Sequence, residues 1–280
     1  MGLGFYLSLL GLLGSVPLWH LSGLVWRRSA SMGGVTTPNN LRARILAGEE
    51  LVMLRGDIAW SKEELATRWA GGKYDFIWMD SQHSPYSDLE LINFTNAAEQ
   101  LGIPVQLRIP HTREAHKVGR FFDLGITGAL VPEVMEASTV QDAVDFAYYG
   151  PIGRRSWGGA NRLGLRDRSA PTARRQYADW WNQTVLLSIQ IESVETVRNI
   201  GQLVEPHIEH ITHVTWGPND LEFSLEKHND PKLNTVEACM EHVAKLLQGK
   251  GIGISMGTAA IFEDYQKYRD LGVTIFQTAG

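Results

Sequence analysis

Eight short apolar runs alternate with amphipathic stretches from Leu41 onward, and this alternation predicts an α/β fold, a closed (β/α)8 TIM barrel. The runs are apolar throughout, which is typical of parallel strands that are buried on both faces. The length of 280 residues fits one such barrel, and 44% hydrophobic residues suffice for a large core. An open doubly wound sheet is the second choice, because the expected phosphate-binding glycine turn does not follow the first strand.

The predicted strands follow one another along the chain at 51–58, 76–81, 104–109, 127–134, 184–192, 211–218, 251–257 and 273–280. Stretches between them, such as SDLELINFTNAAEQLG, have the amphipathic character of helices. The chain ends at the eighth strand, so we expect a barrel that lacks its final C-terminal helix. The long, polar and arginine-rich segment from 150 to 184 is an insertion of the kind that is often functional.

The first 40 residues differ from the rest of the chain. Residues 2–26 carry no charged side chain, and Arg27 and Arg28 follow them. Such a run is long enough to cross a bilayer, and the positive-inside rule would then place the remainder in the cytoplasm. A membrane anchor, a cleaved signal and a leader without function all stay open. We therefore divide the chain into an apolar leader with a linker, residues 1–40, and a barrel domain, residues 41–280.

Composition excludes several classes of function. The formal net charge is −5, which argues against a nucleic-acid partner, because such a partner requires a basic face. Cys239 is the one cysteine, so the chain forms no internal disulfide and no multi-cysteine zinc site. We expect Cys239 to be a small buried apolar side chain in a helix.

Polar side chains gather where the predicted strands end. In strand order they are Asp80, His83, Arg108, Glu192 and Asp220. The C-terminal ends of barrel strands meet at the catalytic face, so we expect all five at one mouth. Taken singly, an acidic residue at a strand end is more often a helix N-cap. The combination of carboxylates, an imidazole and a guanidinium favours a catalytic site.

Four longer motifs make the chain similar to a known family: WMDSQHSP, GALVPEV followed by YYGPIGRRSWG, IQIESVETVRNI, and GPNDL. Through them, residues 41–280 resemble the HpcH/HpaI aldolases, which are class II, metal-dependent pyruvate aldolases such as 4-hydroxy-2-oxoheptanedioate aldolase. The resemblance implies reversible cleavage of a 4-hydroxy-2-oxo acid to pyruvate and an aldehyde. It also implies a divalent cation as cofactor, namely Mg²⁺, Mn²⁺ or Co²⁺.

The resemblance further implies the roles of the strand-end residues. Glu192 and Asp220 would bind the metal ion. His83 and Asp80 would transfer protons, and Arg108 would contact the ketone oxygen of the substrate.

Three more residues are assigned to substrate binding by the same resemblance: Gln82, Arg155 and Asn219. Gln82 stands where many family members have glutamate, and Ser156 replaces a usual glycine after Arg155. Family members exchange their last helices between subunits, which implies a homo-oligomer, although this chain ends before those helices.

The chemistry agrees with these roles. Removal of a proton from the methyl group of pyruvate requires stabilisation of an enolate, which a bound cation provides as a Lewis acid. Mg²⁺ often takes only one or two protein carboxylates, and Glu192 and Asp220 offer two. Arg108 adds a fixed positive charge, and His83 can move a proton near neutral pH. A Schiff-base route needs a lysine at the mouth, and no predicted strand ends in one.

One competing site and two competing functions stay open. His207, His210 and His213 recur beside Glu205 and Glu209, as in a Zn²⁺ or Ni²⁺ site, but at the N-terminal, non-catalytic side of the sixth strand. Within the same fold, the chain could be a lyase or decarboxylase acting on oxaloacetate or a CoA thioester. From another class, it could be a non-catalytic, membrane-tethered binding protein.

Overall fold

The protein, in a computed structural model that describes residues 40–158, 173–257 and 265–278, is a closed barrel of eight parallel strands in sequential order. The strands are β1 Leu51–Arg55, β2 Phe76–Asp80, β3 Val105–Arg108, β4 Gly128–Val131, β5 Leu186–Ile191, β6 His213–Trp216, β7 Gly253–Met256 and β8 Ile275–Thr278. The barrel closes where β8 pairs with β1. Each strand lies inside the run predicted for it, so the prediction of a (β/α)8 barrel is confirmed.

The helices of the described residues are α1 Leu41–Leu46, α2 Lys62–Ala70, α3 Asp88–Gln100, α4 Val118–Asp123, α5 Ala137–Ala147, α6 Arg174–Thr184, α7 Val194–Val204, α8 Pro218–Leu225, α9 Val236–Leu247 and α10 Tyr265–Asp270. Short 3₁₀ helices span Thr112–Lys117 and Glu205–His207. Helix α3 begins at a capping box, in which Ser87 and Glu90 satisfy each other's backbone N–H groups. Cys239 is buried in α9, as predicted.

Helix α1 closes the N-terminal end of the barrel. Its Leu41 and Ile45 pack against inward-facing strand residues, namely Leu51, Met53, Phe76, Trp78, Leu130, Leu186 and Ile275. Between them, the buried Arg42 donates hydrogen bonds to Tyr148 Oη at 2.8 Å and to the carbonyl oxygen of Glu209 at 2.5 Å. The N-terminal end of the barrel is therefore closed by packed side chains and hydrogen bonds, and we expect the active site at the C-terminal end.

A buried histidine stands inside the barrel at the start of β6. His213 Nε2 lies 3.0 Å from Gln106 Nε2, and His213 Nδ1 lies 2.9 Å from Thr212 Oγ1. Because the Gln106 amide nitrogen can only donate, His213 Nε2 accepts and Nδ1 carries the proton. Burial lowers the pKa of His213 to about 3, so the ring is neutral at physiological pH.

Acidification is expected to destabilise the fold through His213. In the unfolded chain this ring has a pKa of about 6.5, whereas its pKa in the folded protein is about 3. Between these values the unfolded state binds more protons, so the free energy of unfolding falls as the pH falls, by up to roughly 1.4 kcal/mol per pH unit. Urea unfolding across this range should show the slope in the native protein and a smaller slope in His213→Gln. Equal slopes would contradict a neutral buried ring.

The alternative metal site at His207, His210 and His213 is wrong. His213 points into the barrel, whereas the His210 ring packs 5.3 Å from the ring of Tyr148 in the helical layer. Within the described residues, no group of three histidine, cysteine or acidic side chains is arranged to hold a metal ion. The segment does precede β6 and so lies at the N-terminal side, as predicted.

The predicted leader lies outside the described residues except for Asn40, whose side chain caps α1. No helix within residues 40–158, 173–257 and 265–278 combines the length and the apolar character that crossing a bilayer requires. Residues 159–172 of the predicted insertion also lie outside the described residues.

Candidate active site

The ends of β2 and β3 bring Asp80 and Arg108 together. The two residues are register partners on neighbouring parallel strands, so their side chains project to the same side of the sheet. Arg108 Nε and Nη2 donate to the two oxygens of Asp80 at 2.8 and 2.5 Å. Both side chains are buried. This two-pronged ion pair fixes the orientation of the guanidinium plane.

Asp80 is held in its charged form. Burial alone would raise the pKa of this carboxyl group, but the hydrogen bonds and the positive charge of Arg108 outweigh that effect. The backbone N–H groups of Gln82 and His83 also donate to Asp80 and lower its pKa further. The pKa of Asp80 therefore lies below its ordinary value, and the carboxylate holds the Arg108 guanidinium in a fixed orientation.

Gln190 connects Arg108 to the acidic side of the mouth. Its Oε1 atom lies 3.5 Å from Arg108 Nη1, and its Nε2 atom donates to Glu192 Oε2 at 2.8 Å. Gln190 and Glu192 are two residues apart, so both project to the inner face of the barrel. A continuous chain of polar contacts thus runs from Asp80 through Arg108 and Gln190 to Glu192.

Glu192 follows β5 in a pocket that the backbone shapes. Its Oε1 atom accepts the backbone N–H of Glu133, a residue in the loop after β4. Glu133 has a φ of 51°, a left-handed conformation that costs a residue with a side chain roughly 1 kcal/mol. A Cβ atom at Gly217 would lie 2.5 Å from Gln190 Nε2 and 2.8 Å from Glu192 Cβ. Only glycine at position 217 leaves room for this carboxylate.

Asp220 and Glu192 repel each other electrostatically at the mouth. Burial raises the pKa of Glu192, and the negative charge of Asp220 raises it further. The N–H of Glu133 and the charge of Arg108 act in the opposite direction, and the resulting pKa is about 7. Asp220 itself is exposed in the first turn of α8. The structure therefore brings both predicted metal ligands to one region, where a cation would relieve their repulsion.

Two contacts set the helix that carries Asp220 against the start of α7, the helix that follows Glu192. Ser224 Oγ in α8 accepts the first backbone N–H of α7 at 3.1 Å. After α8, His228 Nε2 lies 2.7 Å from Glu195 Oε1 in α7. Because α7 begins two residues after Glu192, these contacts fix the position of α8 relative to that carboxylate.

The remaining mouth residues lie around this cluster. His83 is exposed in the loop after β2, and among the described residues its ring makes no hydrogen bond to the Asp80 carboxylate. Gln82 is half-buried, and its Oε1 atom has no hydrogen-bond partner within the same residues. Asn219 is exposed beside Asp220 in α8.

Arg155 does not join the cluster. Its guanidinium carbon lies 4.3 Å from the ring centroid of Trp181 in α6 and 5.2 Å from that of Phe122 in α4. Its Nη2 atom also donates to Asp123 at 2.7 Å. These partners belong to the helical layer, so Arg155 anchors the segment after α5 to α4 and α6.

Replacement of Arg155 by alanine is expected to weaken the fold and to spare catalysis. The lost stacking and the space left behind should lower the free energy of unfolding by about 2 kcal/mol. Denaturant unfolding and steady-state kinetics on the folded variant would measure both effects. Unchanged stability together with a greatly raised KM would instead support the substrate-binding role that the resemblance implied.

Three positions of the site were not foreseen from the sequence, namely Gln190, Glu133 and Gly217. Gln190 carries a usable signal, because a residue two before a strand-end acid shares its face. The backbone conformation of Glu133 and the close approach at Gly217 depend on loops from other parts of the chain, and no local pattern reveals them.

Comparison with known proteins gives a consistent result. Residues 58–279 match the sequence model of the family described as HpcH/HpaI aldolase/citrate lyase. The chain is 26% identical over 220 residues to a hydroxypyruvate/pyruvate aldolase of Sagittula stellata, covering 78% of this chain and 82% of that protein. A second hydroxypyruvate/pyruvate aldolase, of Cupriavidus necator, is 26% identical over 207 residues, 73% of each protein.

A solved structure shows the same relationship. The crystal structure of an HpcH/HpaI aldolase from Desulfitobacterium hafniense superposes with a TM-score of 0.70 at 25% identity and covers 85% of this chain and 88% of that one. The family match spans most of the chain and includes Asp80, Arg108, Glu192 and Asp220. The chain therefore belongs to the HpcH/HpaI aldolase/citrate lyase family.

Proposed function

We propose that this protein is a metal-dependent aldolase that reversibly cleaves 4-hydroxy-2-oxo acids to pyruvate and an aldehyde. The observation that carries this proposal is the convergence of the Glu192 and Asp220 carboxylates beside a fixed Arg108 guanidinium at the barrel mouth. Relatives named as hydroxypyruvate/pyruvate aldolases support pyruvate as one of the products.

A divalent cation suits the donors that are present. Glu192 and Asp220 offer two carboxylates, and within the described residues no third acidic, histidine or cysteine side chain joins them. Mg²⁺ is commonly held in this way, with substrate oxygens and water as its other ligands. When bound, the cation would supply Lewis-acid stabilisation of the enolate charge. Mn²⁺ and Co²⁺ fit the same donors.

Arg108 is the residue that we propose to bind the ketone end of the substrate. Asp80 accepts hydrogen bonds from Nε and Nη2 of Arg108, which leaves Nη1 directed toward Gln190. In the cleavage, the bond between C3 and C4 breaks and its electrons pass to C3, which becomes the enolate carbon of pyruvate. Negative charge grows on the ketone oxygen, and a preorganised guanidinium stabilises that charge more than it stabilises the substrate.

His83 is the residue we assign to proton transfer. Cleavage requires loss of the proton on the C4 hydroxyl group, and completion requires delivery of a proton to C3. Histidine is the side chain best suited to both steps near neutral pH. The backbone N–H of His83 donates to Asp80, whose carboxylate is also occupied by Arg108, and the His83 ring is exposed. A water molecule between this ring and the substrate fits the arrangement. Gln82 and Asn219 are proposed to contact the substrate at the same rim, and a homo-oligomer stays a prediction.

Pyruvate release from 4-hydroxy-2-oxo acids, coupled to lactate dehydrogenase, tests the proposal. Activity should appear with Mg²⁺, Mn²⁺ or Co²⁺ and disappear with a chelator. Exchange of the pyruvate methyl protons for deuterium, followed by NMR, should need the same metal ion. Metal-dependent turnover of oxaloacetate or a CoA thioester, without aldol cleavage or methyl exchange, would favour the alternative lyase or decarboxylase instead.

A further inference from the structure

Arg55 at the end of β1 is a second guanidinium on the inner side of the barrel mouth. Leu51 and Met53 of the same strand belong to the interior cluster, and alternation along the strand directs Arg55 to that side too. Arg55 is the register partner of Trp78 on β2, and its guanidinium carbon lies 5.9 Å from the centroid of the Trp78 ring.

Arg55 differs from Arg108, the other guanidinium on the Trp78 ring, in having no acidic partner among the described residues. Arg108 contacts the same Trp78 ring at 5.4 Å but is paired with Asp80. Arg44 is likewise paired, with Glu49. Arg55 is exposed, and among the described residues it makes neither a hydrogen bond nor an ion pair. Its five N–H donors are therefore available to a ligand.

The two guanidinium groups can contact a single small molecule. Because both lie on the Trp78 ring, their central carbons are no further apart than the two ring distances added together. This upper limit accommodates a short carbon chain with a polar group at each end. The packing against Trp78 also holds Arg55 near the mouth rather than in bulk solvent.

We infer that Arg55 binds a second anionic group of the substrate, carried by the aldehyde half, and so sets the substrate class. This inference rests on the proposed function for the ketone end, which Arg108 binds. Carboxylate and phosphate groups both offer two oxygens that can accept a bidentate pair of hydrogen bonds from an arginine. Arg55 lies before residues 58–279, the range that matches the family model. Its role is therefore inferred from its position beside Trp78 in this chain.

Calorimetry with matched ligands tests the inference without catalysis. In the presence of Mg²⁺, 2-oxoadipate should bind the native protein about tenfold more tightly than 2-oxohexanoate, which lacks the terminal carboxylate. Arg55→Gln should abolish this preference and leave 2-oxohexanoate binding unchanged, whereas Arg55→Lys should retain part of it. Arg113→Gln removes an exposed arginine after β3 that does not touch Trp78, and it should preserve the preference.

Each outcome bears on Arg55 separately from the aldolase proposal. An undiminished preference in Arg55→Gln, or none in the native protein, would overturn the inference. A preference that Arg55→Gln removes, in a protein that releases no pyruvate, would support Arg55 and contradict the proposed function. Aldol condensations with pyruvate distinguish a carboxylate from a phosphate when two pairs of aldehydes are compared. The first pair is 4-oxobutanoate and the uncharged butanal; the second is glyceraldehyde 3-phosphate and the uncharged glyceraldehyde. The charged member of at least one pair should lose its lower KM in Arg55→Gln.

Discussion

Replacement of Glu192 by glutamine should reduce metal-dependent pyruvate release by about a thousandfold. The substitution keeps the size of the side chain but removes one of the two carboxylates proposed to hold the cation. Loss of the several kcal/mol that a Lewis acid contributes to the transition state corresponds to a rate effect of this size. Steady-state kinetics at saturating Mg²⁺ would measure it. Glu226→Gln, an exposed residue next to the end of α8, is the matched control.

The same variant should keep or gain stability in metal-free protein. The pKa of Glu192 is about 7, above the value of an unfolded glutamate, because burial and Asp220 disfavour its charge. The destabilising effect of that charge is absent at low pH and fully present above about pH 7, where glutamine removes it. A chelated sample of Glu192→Gln should therefore unfold at an equal or higher temperature at alkaline pH. A large fall in Tm would show that the carboxylate supports the fold instead.

Replacement of Arg108 by glutamine should impair both catalysis and stability. The variant loses the donor proposed for the ketone oxygen, for which we expect at least about a hundredfold lower kcat/KM. It also leaves the buried Asp80 carboxylate without its counter-charge, which costs about 3 kcal/mol in the free energy of unfolding. Kinetics and urea unfolding of the same preparation would measure the two effects.

A double variant separates these two roles. Asp80→Asn in the Arg108→Gln background removes the uncompensated charge, so most of the lost stability should return. Catalysis should stay impaired, because the guanidinium is still absent. Recovery of kcat/KM together with stability would contradict a direct role of Arg108 in the reaction.

The fold was accessible from the sequence because its signals are local. Apolar runs such as FIWMDS mark strands buried on both faces, and their alternation with helices implies a parallel barrel. The barrel then places strand ends at one mouth, which is why Asp80, Arg108 and Glu192 could be expected together before their contacts were known. The run at 51–58 proved longer than β1, which ends at Arg55, since the following turn begins at Asp57.

The supporting contacts were not accessible in the same way. The backbone N–H of Glu133 contacts Glu192 only because Glu133, in the loop after β4, adopts a left-handed conformation. Glycine is required at position 217 only because the end of β6 lies against the Glu192 carboxylate. Arg155 lies in one of the motifs through which the chain resembles the family, yet its stacking on Trp181 depends on how α4, α5 and α6 pack. Such features arise from long-range packing, which no residue spacing encodes.

The central claim is that Glu192 and Asp220 hold one cation beside Arg108. An anomalous difference map from crystals grown with Mn²⁺ and pyruvate tests it most directly. We expect one strong peak bridging these two carboxylates, with pyruvate between the ion and Arg108. A Mn²⁺ peak elsewhere, or side chains of Glu192 and Asp220 that do not share the ion, would contradict this account.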